Sequence, residues 1–425
     1  MKYLFIVQGE GRGHLTQAMT MEKMLLGHGH EVVGILVGTS SVRKLPEFFE
    51  KGVRSPLHHF DSFNFVPSFK NRKPDVFRTV IYNLVHVAEF FPSIRFISSF
   101  IKKSQPDVVV NFYEFLGTLG YIMSRSKAPE YCIGHQYLLL HKDFRVPEIG
   151  YEGHLALNLY SRMTSWGAKA RLALSFRDMP DDPKHRIIVM PPLLRPEVLA
   201  YRPEDVEDLA NRSENDKDLA NRSEDGKDLA NGSEDDKDLA NRSENVKDLA
   251  NGPEDGKDLA SRTEDGKDLI SSGNYILGYM LNSGFSHDVM HWHYDHPETE
   301  LRFFWDKIEA GPVKVYDDSL TFYYLDDKEF LHQMAGCKAY ASTAGFESIC
   351  EAMYMGKPLM MVPSHIEQKC NAFDATRFDA AVEAKSFDLG ILLEFADKKY
   401  RQDKAFPAWA RSAEKKFLKY LEFSH

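Results

Sequence analysis

Cysteine is scarce, with four in 425 residues at positions 132, 337, 350 and 370, and none in C-x-x-C spacing. This argues against a disulfide-stapled scaffold and a cysteine-rich zinc module, and the thiols read as reduced groups of a cytosolic protein. Long apolar runs are missing too. No stretch approaches the ~18 uninterrupted apolar residues of a membrane span, and the run at 3–7 is too short for a secretory signal. The expected location is cytoplasmic. An excess of basic charge is also absent. The formal net charge is −10, and residues 201–270 alone carry 22 acidic and 11 basic residues, leaving 41 and 42 for the rest. A nearly neutral remainder gives no footing for a nucleic-acid partner, and none is expected.

Residues 201–270 are seven tandem copies of a ten-residue unit close to N-R-S-E-D-G-K-D-L-A. Ten residues match neither a helical nor a strand period, and each copy offers one Leu and one Ala to a core. Burial of that kind cannot offset the ordering entropy, so the segment reads as a disordered, low-complexity insert. Acidic pairs such as Asp216-x-Asp218 and Asp236-x-Asp238 within it read as charge decoration.

On either side, apolar β-rich runs alternate with helical patterns. Strands are expected at 2–7, 31–38, 107–111, 130–134, 171–176 and 186–190, and helices at 16–27, 40–51, 74–103 with a break near Pro92, 116–126 and 151–163. Beyond the insert come strands at 275–281, 300–306, 320–324 and 339–342, with helices at 288–296 and 327–335. Such alternation predicts an α/β fold of two Rossmann-like, doubly wound halves facing across a cleft. Residues 191–204, polar and Pro-containing, read as the hinge where the repeats were inserted.

The stretch 341–372, ASTAGFESICEAMYMGKPLMMVPSHIEQKCNA, carries most of the chemistry. A strand ends in the small-residue turn Ser342-Thr343-Ala344-Gly345, and a helix begins there. Backbone N–H groups at a helix start, with the positive end of its dipole, suit a diphosphate. Glu351 lies two turns on, where a carboxylate can accept hydrogen bonds from ribose hydroxyls, and Glu367-Gln368 follow the next strand. Ligands of open α/β sheets bind beyond the carboxyl ends of strands.

Ser342, Gly345, Ser348, Glu351, Ala352, Gly356, Pro358, Pro363, Glu367, Gln368, Asn371 and Ala372 fall on one spacing. It resembles the donor half of GT-B glycosyltransferases, especially family 28, which includes the bacterial N-acetylglucosaminyltransferase that makes lipid II and the plant galactolipid synthases. Ala344 stands where that pattern has the first of two glycines. The resemblance implies donor contacts from Thr343, Ala344, Gly345, Phe346, Glu351, Glu367, Gln368 and Asn371. Asn282 and Ser283 follow the first strand of the second half, where the relatives place a small loop on the donor phosphates.

In the first half, Gln8-Gly9-Glu10-Gly11-Arg12-Gly13-His14 links a strand to a helix. Its spacing departs from the dinucleotide fingerprint G-x-G-x-x-G, and strand two ends without an acidic residue for a ribose. The loop looks like the G-x-G-G-H turn of family 28, which implies that Gly11 and Gly13 allow close approach to the donor diphosphate and makes His14 a candidate general base. Glu114, after the strand ending at Asn111, is the other candidate base; His135-Gln136 are weaker candidates for the same crevice. His287, His291, His293 and His296 crowd one helix, but no carboxylate or cysteine joins them at a known zinc spacing, so they read as a solvated polar face.

The expected domains are therefore 1–199 for the acceptor, 200–272 for the insert, 273–405 for the nucleotide sugar, and a helix in 406–425 packing back on the cleft. The resemblance implies an inverting, metal-independent glycosyltransferase that uses no cofactor. It would move a sugar from a nucleotide-diphosphate donor, a UDP-sugar, to a glycan or lipid-linked acceptor of the cell envelope. Residues 76–103, apolar and aromatic with interspersed Arg and Lys, are a candidate surface for peripheral contact with the inner face of a membrane. Two rival readings are a sugar-nucleotide 2-epimerase of the same fold and a non-catalytic module in which the repeats bind a partner.

Overall fold

The computed structural model describes residues 1–40, 45–63, 87–148, 151–201, 273–280, 283–307 and 311–422. The repeats beyond Tyr201, Asn282 and the part of the expected 74–103 helix before Val87 lie outside the described residues.

The N-terminal half runs β1 (Lys2–Gln8), α1 (Arg12–Gly27), β2 (Glu31–Thr39), α2 (Glu47–Gly52), β3 (Leu57–Asp61), α3 (Phe91–Ser104) and β4 (Val108–Phe112). It continues through α4 (Phe115–Ser124), β5 (Glu130–Ile133), α5 (Tyr151–Met163), β6 (Ala170–Leu174), β7 (Ile187–Met190) and α6 (Pro196–Leu199). The C-terminal half has β8 (Tyr275–Tyr279), α7 (Ser286–Asp295), β9 (Glu300–Trp305), β10 (Val313–Val315), β11 (Leu320–Tyr324), α8 (Asp327–Gly336) and β12 (Ala339–Ser342). It ends with α9 (Phe346–Tyr354), β13 (Leu359–Met361), α10 (Ile366–Ala375), β14 (Ala381–Glu383), α11 (Leu389–Lys398), α12 (Phe406–Arg411) and α13 (Ala413–Glu422).

Each half holds a seven-stranded sheet, ordered β3-β2-β1-β4-β5-β6-β7 and β10-β11-β9-β8-β12-β13-β14. All pairs are parallel except β10 with β11. Parallel strands covered on both faces need continuous apolar runs, and Tyr3–Val7 of β1 are fully buried accordingly. The chain order reverses between β1 and β4 and again between β8 and β12. Ligands of such sheets bind at these switch points, so the loops after β1, β4, β8 and β12 are the ones positioned for chemistry.

Several boundaries differ from the sequence expectations. α1 starts at Arg12, four residues before the expected Thr16, with Gly11 as its extended N-cap; Gly13 and His14 therefore sit in the first turn. Near Pro92 the 3₁₀ turn Val87–Phe90 gives way to α3, whose first turn holds the proline, where it forfeits no intrahelical bond. In the 40–51 segment the described helix begins only after Pro46, which caps it. β3 was not expected, since His58, His59 and Asp61 dilute its apolar signal. His293 is buried against Asp317 (Nε2–Oδ2 2.8 Å), and His296 stacks on Trp292 at 4.1 Å, so the polar face expected on α7 is partly packed.

The C-terminal helix is two helices, interrupted where the Ser412 hydroxyl turns back to the Trp409 carbonyl (2.6 Å). Both reach the N-terminal half. Trp409 Nε1 donates to Ser175 O (2.9 Å), Tyr3 Oη donates to Leu421 O (3.4 Å), and His30 meets Glu422 (2.7 Å). The four cysteines are free and buried. Among the described residues no helix is long and apolar enough to cross a membrane.

Candidate active site

On the C-terminal side the site begins with the turn after β12. Ala344 takes a left-handed conformation (φ 63) and is fully buried. Three hydrogen bonds hold this turn: Thr343 N–H to Tyr279 O (3.2 Å), Ala344 N–H to Ser342 Oγ (3.2 Å), and Asn371 Nδ2 to Ala344 O (3.0 Å). Gly345 caps α9 without a side-chain bond, and the first helical bond runs from Ile349 N to Gly345 O (3.1 Å). The N–H groups of Phe346, Glu347 and Ser348 precede it and are the donors the helix leaves over.

Across from this turn stands the loop after β1. Gly9 must be a glycine, since a Cβ there would lie 2.6 Å from Gly38 O. A Cβ on Gly13 would stand 3.3 Å from Glu347 Cγ, which shows how closely the first turn of α1 faces the first turn of α9. His14 is buried, stacks on Tyr113 at 5.7 Å, and shares a long hydrogen bond from Nδ1 to Gln17 Oε1 (3.4 Å). Gln17 Nε2 in turn donates to Glu347 Oε1 (2.5 Å). The chain His14–Gln17–Glu347 puts the proton on Nδ1 and leaves Nε2 as the acceptor. Burial lowers the His14 pKa to about 4, so the ring is neutral near pH 7.

Glu347 escaped the sequence reading. An acidic residue in a first helical turn is common enough to pass as dipole decoration. Here burial pushes its pKa up to about 8, and its Oε2 is buried without a hydrogen-bond partner. A protonated carboxyl beside a helix N-terminus can donate to an anion instead of repelling it.

Glu351 is buried in an ion pair that the sequence did not suggest. Arg195, from the hinge, reaches its Oε1 through Nε (2.8 Å) and Nη2 (2.6 Å), and places Nη1 3.5 Å from Asp327 Oδ2. Arg12 approaches the other oxygen of Asp327 at 3.7 Å. Burial works against the Arg195 charge, but Glu351 and Asp327 outweigh it and hold its pKa above the ordinary arginine value. The only sequence signal for Arg195 was a lone cation in the apolar run Pro191–Pro196.

Other candidates are distributed as follows. Gln136 Nε2 donates across the crevice to Glu367 Oε1 (2.8 Å). Phe346 stacks on His135 at 4.2 Å and lies against Phe176 at 4.8 Å, closing one side of the crevice. His135 Nδ1 is engaged by Leu174 O (2.8 Å), and burial lowers its pKa to about 4. Gln368 spends its carbonyl on Ser364 N–H (2.9 Å) and Ser364 Oγ (2.7 Å), fixing the entry to α10. Gly11 is the N-cap of α1, and Ser283 opens the 3₁₀ turn Ser283–Phe285 after β8.

Glu114 is the N-cap of α4. Its Oε1 accepts from Leu116 N–H (3.1 Å) and Ser62 Oγ (2.9 Å), and burial raises its pKa to about 7. These bonds tie it to the body of the sheet, whereas His14 reaches α9 through Gln17, which donates to Glu347. Three more polar atoms of crevice residues, Arg12 Nη1, Gln136 Oε1 and Asn371 Oδ1, are buried without hydrogen bonds. Among the described residues, no group of three or more His, Cys, Asp or Glu could hold a metal ion.

The sequence model of glycosyl transferase family 1 matches residues 1–220 and 273–398. The chain belongs to that family. The unmatched interval within the match, 221–272, is decapeptide repeat up to residue 270. No curated protein matches the chain in sequence. Among solved structures it is similar to UGT71G1 of Medicago truncatula complexed with UDP-glucose, at 13% identity, covering 99% of this chain and 98% of that one with a TM-score of 0.56. It is also similar to the UDP-GlcNAc 2-epimerase of Neisseria meningitidis bound to UDP-GlcNAc (11%, 99% and 100%, TM-score 0.54). A third is Phytolacca americana UGT2 complexed with UDP-2fluoro-glucose and pterostilbene (13%, 99% and 94%, TM-score 0.51). At such identities the likeness speaks for the fold alone, which is GT-B. The family match makes this a glycosyltransferase-type enzyme; it does not carry the narrower resemblance to family 28.

Proposed function

We propose that this family member is an inverting, metal-independent glycosyltransferase that moves a sugar from a UDP-sugar to an acceptor hydroxyl on a glycan or lipid-linked molecule. The observation that carries the reading is the first turn of α9, whose leftover N–H groups face the α1 turn that holds His14, while Glu351 lies further along α9. The diphosphate would meet the N–H groups of Phe346, Glu347 and Ser348 and the helix dipole, a fixed positive field where leaving-group charge develops. The ribose would hydrogen-bond to Glu351, held in place by Arg195. Thr343, Ala344 and Gly345 shape the turn, Glu367 and Gln368 border the sugar, and Asn371 braces the turn from behind.

In the reaction the acceptor oxygen attacks the sugar C1 from the face opposite the diphosphate, and the C1–O bond to the leaving group breaks. The acceptor proton passes to His14 Nε2, and the electron pair of the broken bond leaves with the nucleoside diphosphate. Inversion follows from this single displacement. The donor charge would be met by dipoles and N–H groups, so a divalent cation is not required by the design.

The likeness to a 2-epimerase supports a second reading, in which the buried acids and His14 act on the bound sugar without an acceptor. Incubation with a panel of radiolabelled nucleotide sugars, with and without lipid extract and in excess EDTA, separates the two. Transferred label that survives chelation supports the glycosyltransferase, and epimerised sugar in the absence of acceptor rejects it. Calorimetry with UDP tests the donor site: Glu351→Ala should weaken binding by roughly 1.5–3 kcal/mol, the range for hydrogen bonds to a charged group. Unchanged affinity in a folded variant would remove Glu351 from the site.

A further inference from the structure

A cavity of about 390 Å³ opens at the amino ends of β6 and β7, lined by Arg162, Arg171, Lys184, His185 and Arg186, with Trp166 among its walls. The crevice loops lie beyond the carboxyl ends of the same strands. At ~3.3 Å per residue, the strands hold the cavity about 15 Å from that crevice.

The charge of this cavity is one-sided. No carboxylate lines it, and among the described residues none of Arg162, Arg171, Lys184 and Arg186 is in an ion pair. Asp182, the acid just before this segment, is engaged by His185 Nδ1 (2.6 Å) and by Lys142 N–H (3.0 Å). Two of the four cations are also fixed, Arg171 and Arg186. Arg171 donates through Nε to Ser165 Oγ (2.7 Å) and through Nη1 to His185 O (2.5 Å), which leaves Nη2 without an acceptor among the described residues. Arg186 takes a left-handed conformation (φ 52) at the end of the turn Pro183–His185, and its Nη1 donates to Ala168 O (3.2 Å). Burial lowers the Arg171 pKa below the ordinary arginine value, and the charges of Arg162 and Arg186 add to that effect.

Mutually repelling cations gathered around a concave surface favour an anion of more than one charge, which removes their repulsion, and the two held arginines are preorganised for it. Trp166 is 65% exposed and offers an apolar face beside the charges. We propose that this pocket binds a phosphoryl group through Arg162, Arg171, Lys184 and Arg186, with Trp166 covering the organic part of the ligand. The same chemistry is available from a soluble phosphomonoester or from a lipid headgroup. Ile122, Leu155 and Leu159, all exposed on α4 and α5, give a lipid source somewhere to rest its chains.

The test uses the full chain with UDP present to occupy the crevice. Glycerol 3-phosphate is titrated by calorimetry, and vesicles of phosphatidylcholine with and without phosphatidic acid are used in cosedimentation. The double variant R162A/K184A removes two cations that make no side-chain hydrogen bond among the described residues, so the fold should hold, as an unchanged melting midpoint would confirm. Saturable binding of glycerol 3-phosphate that falls about tenfold or more in the double variant supports the site with a soluble ligand. Binding only to phosphatidic acid vesicles, lost in the same variant, supports it with a headgroup. Absence of both, or binding that the variant leaves unchanged, overturns the proposal.

Discussion

Ala344 holds a backbone conformation that a Cβ disfavours by ~1–2 kcal/mol. The surrounding bonds from Asn371 and Ser342 over-determine the turn, so the strain persists. Ala344→Gly should therefore stabilise the chain by about 1 kcal/mol, less the entropy that glycine adds to the unfolded state; a lower melting midpoint in the variant would show that the turn is not strained. The choice of base can be settled by pH. His14, with its pKa near 4, is unprotonated and competent at all higher pH, so kcat/KM should stay level from about pH 5 to 8 and fall only as pH drops towards 4. If Glu114 were the base, its pKa of about 7 would make the rate climb through neutrality. Replacing His14 by Asn should cost about 10²–10⁴-fold in kcat with the level profile lost.

The last helix illustrates what an element contributes that no single residue does. α13 is amphipathic and sends Phe417 and Leu421 into full burial on the N-terminal half, although it follows the C-terminal half in sequence. Phe417→Ala should destabilise by about 3–5 kcal/mol, as large aromatic truncations in cores do. A loss below ~1 kcal/mol in chemical denaturation would mean that the helix is only loosely attached. Amphipathicity was readable as a periodic pattern; the partner surface, including Tyr3 at the far end of the chain, was not. α9 is similar. Its start was legible from the small-residue turn, yet its orientation towards α1 depends on how the two sheets pack.

At the scale of the whole molecule, buried titratable groups give stability a defined pH dependence. Burial pushes Glu130 and Glu347 up to about 8 and Glu114 to about 7, so the native chain keeps protons that the unfolded chain loses near pH ~4.3. Stability then falls as pH rises through that window. His14 and His135, lowered to about 4, act oppositely: between there and pH ~6.5 the unfolded chain binds protons that the native chain does not, and stability rises with pH. Above about pH 6.5 only the acids remain in play. The unfolding free energy should therefore decline from there to about pH 8, by up to ~1.4 kcal/mol per group and pH unit, and the melting midpoint with it. Glu130→Gln keeps an acceptor for Asn111 Nδ2 (3.1 Å) and removes one titration, so it should flatten the decline. A midpoint that rises over that interval would contradict the assignment of these groups as buried acids.

The repeating strand–helix order, the two halves, the turn before α9 and the glycine loop before α1 are legible in the amino-acid order, because apolar period and turn chemistry act over a few residues and leave local marks. That order also marked Glu351 by its distance from Gly345. The tertiary structure alone decided that Glu351 pairs with Arg195, 156 residues away, and that Gln17 meets Glu347 across 330 residues. It decided too that Glu114 caps a helix while His14 stacks on Tyr113 and bonds Gln17. Polar groups such as these are matched only once the two sheets have packed, when each buried donor must find an acceptor from whatever part of the chain has come beside it.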